Sequence, residues 1–190
     1  MATILLGVTG SIAAYKACEL TRLFIKDGHD VHVVMTPAAA RFVTPLTFRT
    51  LSRNPVALDM FDEPEEWVPG HISLAERADV LVIAPCSANV MAKLAHGLAD
   101  DMLSATALAT RAPLIIAPAM NTGMWENPAT QANFATLRER GVTCVDAGNG
   151  DLACGTTGKG RMATPQEIFD AVKRRLAAKG KPNTRSRSSS

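Results

Sequence analysis

The sequence predicts an α/β protein, a doubly wound parallel sheet in a single domain, and three observations carry that prediction. Five short apolar runs recur along the chain: "TILLGV" (3–8), "VHVVM" (31–35), "DVLVIAP" (79–85), "PLIIAP" (113–118) and "VTCVD" (142–146). Strands covered by helices on both faces read as near-continuous apolar runs of this kind. The stretches between them carry helical spacing, and strands that alternate with helices build a parallel sheet. A chain of 190 residues suits one sizeable core.

Taken in order, the first run ends at Gly10 and leads into "SIAAYKACELTRLFIKDG", where Leu20, Leu23 and Phe24 repeat on one helical face and Gly28 is the stop. The second run follows directly. "SANVMAKLAHG" after the third run and "PATQANFATLRERG" after the fourth read as the next helices. The basic cluster "KRRLAAKGK" from Lys173 lies on a terminal helix and is expected to be a solvated face. From Lys179, "KGKPNTRSRSSS" offers no apolar residue to bury, so the domain is expected to span 1–178, with 179–190 a disordered tail, a linker stub or a cloning remnant.

Composition narrows the function. A formal charge of +2 gives no case for nucleic acid. No uninterrupted run of about 18 apolar residues argues for a membrane span, and "MATILLGV" lacks the basic start of a signal peptide, so a cytoplasmic location is expected. The four cysteines form no CxxC pair, which speaks against zinc and disulfides.

In a doubly wound sheet, ligands bind beyond the carboxyl ends of the strands. Those ends are rich in neutral donors: Gly10 and Ser11, Thr36, Ser87 and Asn89, with Ser104 and Thr106 at a helix start. Such groups suit a phosphate at a helix N-terminus, although Gly10 making the turn and the hydroxyls capping helices remain alternatives. "GVTGSIAAYK" fits neither the dinucleotide nor the P-loop fingerprint, and Met35-Thr36-Pro37 has no acid for a ribose. In "PAMNTGMW" an apolar strand runs into Asn121 between Met120 and Met124, where a helix cap is the alternative to a ligand contact. His71, in "VPGHISLAERAD", opens a helix at the ligand end and can exchange a proton near neutral pH. His29, His32 and His96 read as solvated, capping or core residues. Cys18 and Cys144 read as core, whereas Cys86 is expected in a loop beside the ligand. Cys154 stands in "DLACGTTGKGRM", where Lys159 and Arg161 favour its thiolate and three glycines allow close approach to a ligand.

"GSIAAYK", His71, "PCSAN", "PAMNTGMW" and "ACGTTGKGRM" occur in that order over about residues 5 to 165. Together they resemble the successive signatures of the flavin-dependent cysteine decarboxylases, most closely the members that act on phosphopantothenoylcysteine in coenzyme A biosynthesis. The resemblance implies a flavodoxin-like Rossmann architecture, FMN as cofactor, and conversion of 4'-phosphopantothenoylcysteine to 4'-phosphopantetheine through a thioaldehyde and an enethiolate that FMNH2 reduces. It implies a homo-oligomer built from trimers, up to a dodecamer, with sites between subunits, and a fused or associated phosphopantothenoylcysteine synthetase domain. It assigns oxidative decarboxylation to His71, the substrate carboxylate to Asn121 beside Met120, and the reductive proton to Cys154. Lys159 and Arg161 are expected to bind the substrate's phosphate or close the clamp over it. Gly10, Ser11, Thr36, Ser87, Asn89 and Ser104 fall where the family contacts FMN. Two departures stand out: Cys86 and Val90 replace Ala and Thr, and Asp101 and Met102 replace Asn and Leu. Relatives that stop after oxidation, or that bind flavin without catalysis, are the rival readings; neither has a use for His71, Asn121 and Cys154 together.

Overall fold

Each apolar run forms a strand, and the runs lie side by side because helices cover both of their faces. The computed structural model describes residues 1–61, 69–151 and 157–179. In chain order the first half contains β1 (Thr3–Val8), α1 (Ala14–Lys26), β2 (Asp30–Met35), α2 (Pro45–Ser52), β3 (Val56–Ala57), α3 (Gly70–Arg77), β4 (Val80–Cys86) and α4 (Ala88–His96). The second half contains α5 (Met102–Ala109), β5 (Leu114–Pro118), α6 (Thr122–Glu126), α7 (Pro128–Glu139), β6 (Thr143–Cys144), β7 (Gly148–Asp151), β8 (Thr157–Arg161) and α8 (Pro165–Lys179).

Six strands pair in parallel in the order β3-β2-β1-β4-β5-β6. The five strands β2-β1-β4-β5-β6 follow the flavodoxin order, and the two-residue edge strand β3 completes the Rossmann order. The chain therefore leaves β1 toward one edge and returns at β4 toward the other, which opens a crevice between their carboxyl ends.

Alternation within the strands divides the core in two. Ile4, Leu6 and Val8 of β1 face Leu20 and Phe24 of α1, Phe48 of α2 and Ile168 of α8. Leu5, with Leu81 and Ile83 of β4, faces Met91, Leu103 and Phe134 on the other side. Phe24, completely buried, sits where truncation to alanine typically costs about 3 to 5 kcal/mol. Gly7 lets α5 approach β1, since a Cβ there would stand 2.6 Å from Leu103 Cδ1.

Three features differ from the sequence reading. β3 is an additional edge strand, too short to show a period. The glycine-rich stretch around 148–161, read as a loop, supplies the antiparallel pair β7–β8. Cys86 is not in a loop: it ends β4, is fully buried, and packs in the second core, where burial pushes its thiol pKa strongly up. The tail 180–190 lies outside the described residues.

Candidate functional site

A cavity of about 620 Å³ opens at the crevice between β1 and β4. Its floor is Gly10 and Ser11 after β1, and Ser87 and Ala88 after β4. Thr9 fixes their spacing. Its buried hydroxyl donates to the Pro85 carbonyl at 2.7 Å and accepts the Ser87 N–H at 2.9 Å, tying the two strand ends together. Gly10 packs on the turn after β2, because a Cβ there would stand 2.6 Å from the Ala38 Cβ. The Ser11 hydroxyl accepts the Ala13 N–H at 3.3 Å in the turn ahead of α1, but the N-cap of that helix is Ala13 and carries no side-chain cap, so Ser11 lines the cavity without capping α1. Ser87 does N-cap its helix, α4, by accepting the Val90 N–H at 3.4 Å.

The far wall is Met120 and Asn121 after β5. The Asn121 side-chain oxygen accepts the Gly123 N–H at 2.8 Å and caps α6, so here too a cap and a cavity residue are the same side chain. The β7–β8 hairpin closes the side of the cavity and is seated closely on this wall. Met120 N–H donates to the Gly160 carbonyl at 3.0 Å. Gly160 has φ +122°, and any Cβ there would collide with the Met120 carbonyl. Arg161 and Met162, the next residues, line the cavity.

No carboxylate lines the cavity among the described residues, whereas Lys16 and Arg161 do. Neutral donors, the start of α1 and two cations fit an anionic ligand, and the volume is within the range of small-ligand sites.

Comparisons with known proteins agree with this geometry. The flavoprotein family profile matches residues 1–177. The chain belongs to the flavoprotein family. Over 169 residues it is 50% identical to the coenzyme A biosynthesis bifunctional protein of Haemophilus influenzae, covering 89% of this chain and 42% of that one, so it spans less than half of that relative's length. Over 175 residues it is 45% identical to the probable phosphopantothenoylcysteine decarboxylase of Streptococcus mutans, covering 91% of this chain and 98% of the relative. Among solved structures, a cysteine-to-serine variant of a PPC decarboxylase complexed with pantothenoylaminoethenethiol superposes with a TM-score of 0.81 at 36% identity, covering 91% of this chain and 97% of that one. The resemblance read from the motifs is borne out, as is the fold.

Within this flavoprotein, the cavity brings together six of the residues singled out from sequence: Gly10, Ser11, Ser87, Met120, Asn121 and Arg161. The others lie elsewhere. Thr36 is buried at the end of β2, where its hydroxyl accepts the Ala39 N–H at 3.2 Å. Asn89 is exposed on the first turn of α4. Ser104 is buried in a reciprocal capping box with Asp101, each side chain accepting the other's backbone N–H, at 2.8 Å and 3.1 Å. His71 stands at the start of α3 outside the cavity lining, its Nδ1 buried with no hydrogen-bond partner among the described residues. Lys159 is exposed and does not line the cavity. Cys154 lies outside the described residues.

Asp101, a departure from the family pattern, is engaged structurally: its other carboxylate oxygen meets Lys93 Nζ at 2.7 Å. Burial alone would raise its pKa, but the Lys93 ammonium and the Ser104 donors outweigh this and lower it. Lys16 was not singled out from the sequence. It sits at the end of "GSIAAYK", where a lysine early in an amphipathic helix reads as an ordinary solvated residue.

Proposed function

We propose that this chain catalyses the FMN-dependent decarboxylation of 4'-phosphopantothenoylcysteine to 4'-phosphopantetheine, a step of coenzyme A biosynthesis. The observation that carries the reading is the cavity at the strand-order reversal, where Asn121 and Met120 face Gly10, Ser11 and Ser87 in a chain of the flavoprotein family. Gly10, Ser11 and Ser87 hold the flavin, with Thr36, Asn89 and Ser104 shaping the segments around it. Bound flavin supplies the reversible two-electron oxidation of the substrate's CH2–SH unit that makes loss of CO2 feasible.

The chain's own groups do the rest. Asn121 orients the substrate carboxylate and Met120 packs against the substrate. His71 moves a proton in the oxidative half of the reaction. Cys154 delivers a proton to carbon in the reductive half. Arg161, and Lys159 farther out along β8, supply positive charge for the substrate's phosphate.

His71 stands outside the cavity that holds Asn121, which supports a homo-oligomer built from trimers, up to a dodecamer, in which one copy's His71 completes another's site. The bifunctional relative supports association with a phosphopantothenoylcysteine synthetase domain beyond the catalytic unit at 1–178. Free diffusible substrates and the absence, among the described residues, of a helix long and apolar enough to cross a membrane fit a cytoplasmic place of action.

The test is anaerobic incubation of the flavin-loaded protein with phosphopantothenoylcysteine, products weighed by mass spectrometry. Phosphopantetheine is the expected product. Release of the enethiol as the final product would replace this reading with the oxidative-only one, and absence of CO2 release would leave a flavin-binding protein.

A further inference from the structure

Asn121 is the cap of a helix that cannot hold itself in place. α6 has five residues, far fewer than a helix needs for stability of its own, and Gly123 in its interior weakens it further. Trp125 is its one buried residue, and the Trp125 ring meets that of Phe134 on α7 edge to face at 5.0 Å in the second core. The helix cannot run on into α7, because Pro128 brings no N–H and holds Asn127 in extended backbone at ψ 130°. The terminal carbonyls of α6 therefore need partners from elsewhere.

Gln131 supplies one of them. It stands at the start of α7, where a long side chain points back toward the helix N-terminus. Its Nε2 donates to the Trp125 carbonyl at 2.5 Å. A carbonyl only accepts, so the amide nitrogen and not the amide oxygen faces it. On its other side the Trp125 N–H donates to the Asn121 carbonyl at 2.9 Å. Two successive hydrogen bonds thus join Gln131 to the backbone of Asn121, whose side-chain oxygen accepts the Gly123 N–H at 2.8 Å from the same helix. Gln131 itself is exposed and does not line the cavity.

We infer that Gln131 is a positioning residue: by holding α6 through the Trp125 carbonyl, it sets where Asn121 stands on the cavity wall. This rests on the proposed decarboxylation, in which Asn121 orients the substrate carboxylate. The residues proposed to hold the flavin, Gly10, Ser11 and Ser87, follow β1 and β4 and do not depend on α6. Loosening α6 is therefore felt by the substrate and not by the flavin.

The experiment compares the wild-type chain with Gln131→Met, which keeps the length and the helix propensity but has no donor, and with Gln131→Lys, which restores an N–H donor of similar reach. Far-UV circular dichroism confirms that each variant folds. One arm follows hydrogen exchange by mass spectrometry in peptides spanning 122–127, which contain the two amides bonded to Asn121. The other measures kcat/KM for phosphopantothenoylcysteine and the affinity for FMN. Gln131→Met should exchange about tenfold faster in these peptides, as loss of one hydrogen bond allows. Its kcat/KM should fall about tenfold, because misplaced orienting groups are felt steeply, with FMN affinity unchanged. Gln131→Lys should recover both. Unchanged exchange in Gln131→Met, faster exchange with wild-type kcat/KM, an equal fall in FMN affinity, or a Gln131→Lys protein no better than Gln131→Met would each overturn the inference. If wild-type protein releases no CO2, the decarboxylase reading falls and the exchange arm alone decides: faster exchange recovered by Gln131→Lys upholds Gln131 as the residue that fixes the Asn121 wall, and unchanged exchange overturns it.

Discussion

The Thr9 hydroxyl accepts the backbone N–H of Ser87 at 2.9 Å across the gap where the strand order reverses. The same oxygen donates to the Pro85 carbonyl, so one buried side chain fixes the distance between the two loops that floor the cavity. Thr9→Val keeps the shape and removes both bonds, leaving two backbone groups unpaired, a cost of about 2 kcal/mol or more. The urea midpoint should fall at unchanged slope, flavin affinity should weaken with it, and Thr9→Ser should recover most of both. A Thr9→Val protein with unaltered midpoint and flavin affinity would show that the spacing is set elsewhere.

The hairpin seat yields a different expectation. Gly160→Ala places a methyl group against the Met120 carbonyl at a backbone conformation that L-residues rarely adopt. The parallel sheet does not depend on β8, so circular dichroism should stay near wild type while the hairpin shifts from the wall bearing Asn121. The expected kinetic signature is a raised KM and a lowered kcat, about tenfold or more in kcat/KM, given how steeply misplacement of reacting groups is felt. Wild-type kinetics for Gly160→Ala would mean that the seat is not needed.

The parallel strands were legible because burial on both faces makes each an apolar run, and Gly28 and Gly97 mark helix ends where the structure has left-handed backbone. β3 was hidden because two residues, Val56 and Ala57, carry no period. The β7–β8 pair was hidden because "GNGD" and "TGKGR" hold no apolar alternation; Gly158 and Gly160 serve close approach to the wall at Met120, Asn121 and Thr122, while Gly150 makes room for the Arg161 side chain. Motif order located Asn121 and Arg161. It could not locate Lys16, whose entry into the cavity depends on how α1 is placed over β4, nor show that His71 falls outside that cavity's lining.

The Lys93–Asp101 contact makes a pH-dependent contribution to stability. The folded pKa of Asp101 lies below its ordinary value of 3.8, so the stabilisation is fully present above that value and is lost as pH falls through the lower, folded one. Asp101→Asn keeps an oxygen to cap α5 but removes the charge that meets Lys93 at 2.7 Å. The stability gap between wild type and Asp101→Asn, measured by urea unfolding at a series of pH values, should be constant near neutrality and close as pH drops below 3.8. A gap that is independent of pH would assign the effect of the substitution to capping alone.

His71 and Cys154 are proposed for opposite halves of the reaction, and their variants should therefore fail differently. His71 is separated from the cavity that holds Asn121, so His71→Asn should leave flavin binding intact and lose CO2 release by about a hundredfold or more, the usual contribution of a positioned proton-transfer group. Cys154→Ser should release CO2 and accumulate the enethiol, two hydrogens lighter than phosphopantetheine by mass. If sites form between copies, mixing His71→Asn with Asn121→Asp subunits, each inactive alone, should restore activity in the mixed oligomer, because some sites then carry a native residue from each parent. Failure of the mixture to recover any activity, with subunit exchange confirmed by native mass spectrometry, would place His71 and Asn121 in a site within one chain.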